Sequence, residues 1–88
     1  MSQVKIYTVP MCSQCIRLKE FLHFNGVEFE EINLHEEEKE GSMLKEKTGT
    51  SETPVTRVDN SFVAGFDRER IAKMLEDHGI KPEEMTVE

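Results

Sequence analysis

The stretch Cys12-Ser13-Gln14-Cys15 constrains this chain more than any other. It holds both cysteines of an 88-residue sequence, separated by two residues. Val4-Lys5-Ile6-Tyr7-Thr8 leads into it, with β-branched and aromatic residues in the pattern of a buried strand. Ile16-Arg17-Leu18-Lys19-Glu20-Phe21-Leu22 leads out of it as an amphipathic helix. The pair therefore falls at a strand-to-helix turn. The first backbone N–H groups of a helix lack intrahelical partners, and with the helix dipole they favour negative charge. A thiolate at Cys12 is stabilised there, and the rest of the chain is expected to frame it.

Residues 1–88 make one small domain, with a polar tail over 80–88. Eleven Lys and Arg against eighteen Asp and Glu give a net charge of −7. That argues against nucleic acid, because neutralising phosphates takes a basic face. It argues equally against an anionic membrane surface. No apolar run approaches the roughly 20 residues of a membrane span. Val4 to Val9 is too short for a signal peptide and already reads as a strand. A cytoplasmic protein is expected. Structural disulfides are rare there, which moves a close cysteine pair toward redox or metal chemistry.

Along the chain, Val4 to Thr8 is a strand, and Pro10 sits in the turn after it. A helix runs from Ser13 to Asn25, with Cys15, Leu18, Phe21 and Leu22 on one face and Gly26 closing it. Glu28 to Asn33 is a second strand. Its apolar residues change parity, which predicts a bulge or an end near Glu31. Strand, helix and strand form a βαβ unit with parallel strands. Glu36 to Thr48 is a second helix with little apolar content beyond Met43 and Leu44. Thr53 to Val58 and Ser61 to Ala64 form a hairpin across Asp59-Asn60. Asp67 caps a third helix from Arg68 to His78, with Ile71, Met74 and Leu75 on its apolar face. The order β-α-β-α-β-β-α predicts an α/β fold, a four-stranded mixed sheet flanked by helices on both faces.

A Cys-x-x-Cys pair beside a βαβ unit reads as a dithiol redox motif. Two residues between cysteines on a helical turn bring the sulfurs within disulfide reach. Cys12 points outward and is the expected attacker; Cys15 lies one turn in and is the expected resolver. The bland readings are two inert core cysteines or a metal site. A closed site takes four ligands, and His23, His35 and His78 lack paired spacing. A dimer sharing two cysteines from each chain would supply four thiolates for a metal ion or an iron–sulfur cluster. The strand–turn–helix context favours redox. Met43 is expected to pack, as is Met11, which also has the place to line a substrate surface. Thr53-Pro54 has only the base rate, about 5%, of a cis bond. Gly65-Phe66-Asp67 is by itself a loop with an N-cap.

Taken together, Lys5-Ile6-Tyr7-Thr8, Cys12-x-x-Cys15, Phe21-Leu22 with Gly26-Val27, Thr48-Gly49, Thr53-Pro54-Val55 and Gly65-Phe66-Asp67 resemble the glutaredoxin family of the thioredoxin superfamily. The resemblance implies a thioredoxin fold with Pro54 as a cis-proline facing the cysteines. Thr53 would pair with an extended substrate as an added strand. Gly65, Phe66 and Asp67 would line the other side of the groove, with Met11, Ser13 and Gln14 beside the sulfurs. Glutathione-using members resemble Cys-Pro-Tyr-Cys and carry a basic residue before the cysteines and often another basic or amide residue before the cis-proline. Here stand Val9-Pro10-Met11 and Thr50-Ser51-Glu52, and Glu52 would repel the glutathione carboxylate. The Cys-x-Gln-Cys motif with its Gly-Phe loop is closer to NrdH-type redoxins, which thioredoxin reductase reduces and which pass electrons to ribonucleotide reductase; the Gly-Phe-Asp ending also resembles small prokaryotic glutaredoxin-like proteins of undefined partner. The resemblance thus implies a monomer with a redox-active Cys12–Cys15 disulfide and no bound cofactor. It would act on disulfide-containing proteins, recharged by thioredoxin reductase or glutathione.

Overall fold

The computed structural model describes residues 3–80. The elements are β1 (Val4–Thr8), α1 (Ser13–Phe24), β2 (Phe29–Asn33), α2 (Glu38–Thr48), β3 (Val55–Val58), β4 (Ser61–Ala64) and α3 (Arg68–Asp77). One four-stranded sheet runs in the order β2-β1-β3-β4. β1 and β2 are parallel; β1–β3 and β3–β4 are antiparallel. The element order and the mixed sheet are those expected. The tail expected over 80–88 lies outside the described residues from 81 onward.

The bulge expected near Glu31 is absent. β2 pairs with β1 without interruption, from Val4 opposite Phe29 to Thr8 opposite Asn33. Apolar residues fall on both parities because the sheet is covered on both faces. Phe29 packs into a core with Val4, Ile6, Leu18, Leu22, Val58, Val63, Ile71 and Leu75. Ile32 and Leu34 pack on the opposite face with Tyr7, Leu44 and Val55. Alternation along a strand assigns side chains to faces, so a parity change marks the second core rather than a defect. α1 and α3 cover the first face; α2 covers the second, with Leu44 buried and Met43 partly so. Burial of a leucine such as Leu18, wholly inaccessible to solvent, contributes roughly 1.5–3 kcal/mol.

Element ends differ from expectation for local reasons. α2 starts at Glu38, not Glu36, because Asn33 holds the preceding turn. Its carbonyl accepts the N–H groups of Glu36 and Glu37, and its side chain accepts that of His35 at 2.8 Å. β3 starts after Thr53-Pro54, where a cis peptide bond turns the chain. α1 ends at Phe24 and α3 at Asp77, one residue early, with Asn25 and His78 as C-caps. Among the described residues no helix is long and apolar enough to cross a membrane.

Candidate active site

β1 delivers the chain to α1 through Val9-Pro10-Met11, and Cys12 is the N-cap of the helix. Its backbone is extended (φ −111°, ψ 108°), and its Sγ accepts the N–H of Cys15 at 3.1 Å. Its carbonyl accepts the N–H of Ile16. The sulfur thus takes the place that a serine or aspartate oxygen takes at an ordinary N-cap. No acidic side chain stands in the first turn of α1, so that turn itself adds no like charge beside a thiolate. Cys12 and Cys15 are disulfide-bonded, with Cα atoms 5.2 Å apart. Cys12 is half-buried; Cys15 is 2% exposed. Attack from outside therefore reaches Cys12 first.

The packing expected of Met11 is not found. Its φ of 58° puts it in a left-handed turn, and the side chain is fully exposed. With Ile16, 52% exposed, it forms an apolar margin to a shallow cleft of about 280 Å³ that both cysteines line. The polar side of that cleft is Thr8, Lys19, Glu31 and Asn33. The Thr8 hydroxyl donates to Glu31 Oε2 at 2.8 Å, and Lys19 Nζ lies 3.2 Å from the same oxygen. Both charged side chains are more than a third exposed, so the pair contributes little to stability. Sequence reasoning missed this cluster. Its only signal is the parallel register, which sets Glu31 beside Ile6 and Asn33 beside Thr8. A larger depression over Ser42, Met43, Lys45 and Glu46 shares no residue with the cleft.

The turn before β3 faces the sulfurs from the other side. Thr53 Oγ1 lies 3.9 Å from Cys12 Sγ, and the following bond to Pro54 is cis. Pro54 is buried, and its carbonyl accepts the Gly65 N–H at 2.7 Å, which ties the two loops together. Gly65 has φ 80°, where a side chain is strained, and a Cβ there would sit 3.4 Å from the carboxyl carbon of Glu52. Phe66 is partly a core residue, edge-on to Phe21 at 5.9 Å between centroids. Asp67 Oδ1 accepts the Arg70 N–H at 3.1 Å and caps α3, as expected. Ser13 and Gln14 are exposed on the first turn of α1. The structure thus brings Cys12, Cys15, Thr53 and Pro54 together and binds Gly65 to them.

His78 belongs elsewhere. Its Nδ1 lies 3.3 Å from Asp59 Oδ2 and its Nε2 3.1 Å from Ser61 Oγ, joining the hairpin turn to the end of α3. Among the described residues, no group of three or more His, Cys, Asp and Glu side chains is placed to hold a metal ion.

A mixed sheet in this order, with a bonded cysteine pair at the start of the first helix opposite a cis-proline, defines a thioredoxin-like fold. Comparison with known proteins then gives the family: the glutaredoxin family model matches residues 4–63, and the chain belongs to that family. A glutaredoxin-like protein of 8.6 kDa from the rubredoxin operon of Clostridium pasteurianum is 30% identical over 73 residues, spanning 83% of this chain and 97% of that protein. Glutaredoxin 1 of Rickettsia prowazekii is 42% identical over 65 residues, covering 70% of this chain and 67% of its own length. Among solved structures, the glutaredoxin-like NrdH-redoxin of Escherichia coli, described as having a thioredoxin-like activity profile, superposes with a TM-score of 0.75. It is 26% identical, over 82% of this chain and 93% of its own.

Proposed function

We propose that this protein is a dithiol thiol–disulfide oxidoreductase that reduces protein disulfides in the cytoplasm. The observation that carries the proposal is the Cys12 sulfur, held as the N-cap of α1, disulfide-bonded to buried Cys15 and 3.9 Å from Thr53 Oγ1. In the reduced protein the Cys12 thiolate attacks one sulfur of a target disulfide. An S–S bond forms between Cys12 and the target, and the other target sulfur leaves as a thiolate that takes a proton from water. Cys15, once deprotonated, attacks Cys12 Sγ. The mixed disulfide breaks, the second target thiolate leaves, and the Cys12–Cys15 disulfide remains. Two electrons have passed to the target. Met11, Ser13 and Gln14 would border the incoming segment, Thr53 and Pro54 would receive its backbone, and Gly65, Phe66 and Asp67 would wall the far side.

The reductant that best fits is a thioredoxin reductase-like enzyme, with ribonucleotide reductase the leading target. Support comes from the likeness to NrdH-redoxin and from the exposed Glu52 carboxylate beside Gly65, where a glutathione carboxylate would meet like charge. Recharging by glutathione is the second reading, favoured by the identity to Rickettsia glutaredoxin 1.

The exchange has a stoichiometry that tests it. Reduced protein mixed with an equimolar disulfide peptide should release two peptide thiols per protein oxidised. Peptide mapping should find Cys12 joined to Cys15. Release of one thiol, with the peptide retained on the protein, would contradict the dithiol mechanism.

A further inference from the structure

The turn opposite the sulfurs, where the proposed substrate groove would lie, carries a charge that the exchange chemistry does not require. Glu52 immediately precedes Thr53 and cis-Pro54, and it is exposed. Its carboxylate lies over Gly65: a Cβ there would be 3.4 Å from Oε1 and 3.6 Å from Oε2. Gly65 is in turn bonded through its N–H to the Pro54 carbonyl. The carboxylate therefore stands across the two loops that would receive a substrate backbone. It has no hydrogen-bond or ion-pair partner among the described residues; its own backbone N–H donates to Thr50 Oγ1. Arg68 and Arg70, on the first turn of α3, form no ion pair with it. Asp67 adds a second carboxylate at the same loop, partly committed to the helix cap.

We propose, resting on the dithiol-reductase reading above, that Glu52 makes this groove select disulfides flanked by a lysine or arginine. An extended segment laid along Thr53 brings the residues next to its cysteine over the Pro54–Gly65 junction. A cation there gains a carboxylate that has no side-chain partner among the described residues. An anion meets uncompensated negative charge, and covering by the bound segment strengthens both effects by displacing water. The substrate class is a cationic protein segment, and the rejected class includes small acidic disulfides.

The test uses single-turnover reduction, which needs no reductase. Three disulfide peptides would differ only in the residues flanking the cysteines: lysine, glutamine or glutamate. Rate constants for thiol release from each would be measured with reduced wild type, Glu52→Gln, Glu52→Lys and a control, Glu76→Gln. Glu76 is exposed near the far end of α3, and its substitution changes net charge as Glu52→Gln does. The wild type should reduce the lysine peptide about tenfold faster than the glutamate peptide at low salt, the scale of one favourable and one unfavourable charge contact. Glu52→Gln should narrow the ratio to about twofold, and Glu52→Lys should invert it. Glu76→Gln should keep the wild-type ratio. An unchanged ratio in Glu52→Gln, or equal narrowing in Glu76→Gln, would overturn the proposal and leave the dithiol reading intact. A wild type that reduces none of the peptides would overturn that reading, and the proposal with it.

Discussion

Cys12→Ser is expected to lose disulfide reduction by roughly a thousandfold or more, the scale on which loss of a covalent nucleophile registers. A hydroxyl at this position stays protonated at neutral pH and forms no S–S bond. The fold should survive, because serine is a favoured N-cap and its oxygen can accept the Cys15 N–H that the sulfur now accepts. Loss of activity with an unchanged melting temperature and circular-dichroism spectrum therefore isolates the chemistry. Near-wild-type turnover by Cys12→Ser would show that the attacking group is not Cys12.

Cys15→Ser should have the opposite character, accumulating product where Cys12→Ser forms none. Cys12 keeps its place at the helix N-terminus and still attacks, but no buried thiol remains to break the mixed disulfide. A covalent adduct with the target should build up toward one per protein. It should run as a heavier species on a non-reducing gel and disappear with dithiothreitol. Multiple-turnover reduction of protein disulfides should fall to near background. Failure to trap any adduct, or equal trapping by Cys12→Ser, would refute the division of labour. The two variants should differ because the helix geometry leaves Cys12 half-buried and Cys15 only 2% exposed.

The placement of the cysteine pair was legible because it is local. Strand, turn, cysteine pair and helix are adjacent in sequence, and the N-cap position of Cys12 follows from where the helical periodicity begins. The element order was equally readable, since the hairpin turn at Asp59-Asn60 and the helix-closing Gly26 act within a few residues. Phe29, Ile32 and Leu34 show where local reading failed. Their parity pointed to a bulge, whereas the cause was a second apolar layer under α2 that no single-strand pattern reveals. Thr8, Lys19 and Glu31 meet only through the β1–β2 register and the helix between. The approach of Glu52 to Gly65 depends on the turn at Thr53-Pro54 and its bond to Gly65, so only its charge was visible beforehand. Met11 looked like a packing residue by type; its left-handed backbone, which composition does not report, leaves it in solvent.

The most direct measurement is NADPH oxidation with a disulfide substrate such as insulin, in two parallel arms. One arm supplies thioredoxin reductase; the other supplies glutathione with glutathione reductase. Turnover that depends on the wild-type protein in the first arm, with little in the second, is the expected result for a dithiol redoxin whose groove carries Glu52 and no basic residue before the cysteines. Turnover confined to the glutathione arm would contradict the assigned reductant. Silence in both arms would contradict both reductants and turn the search to other reductases and then to the metal reading.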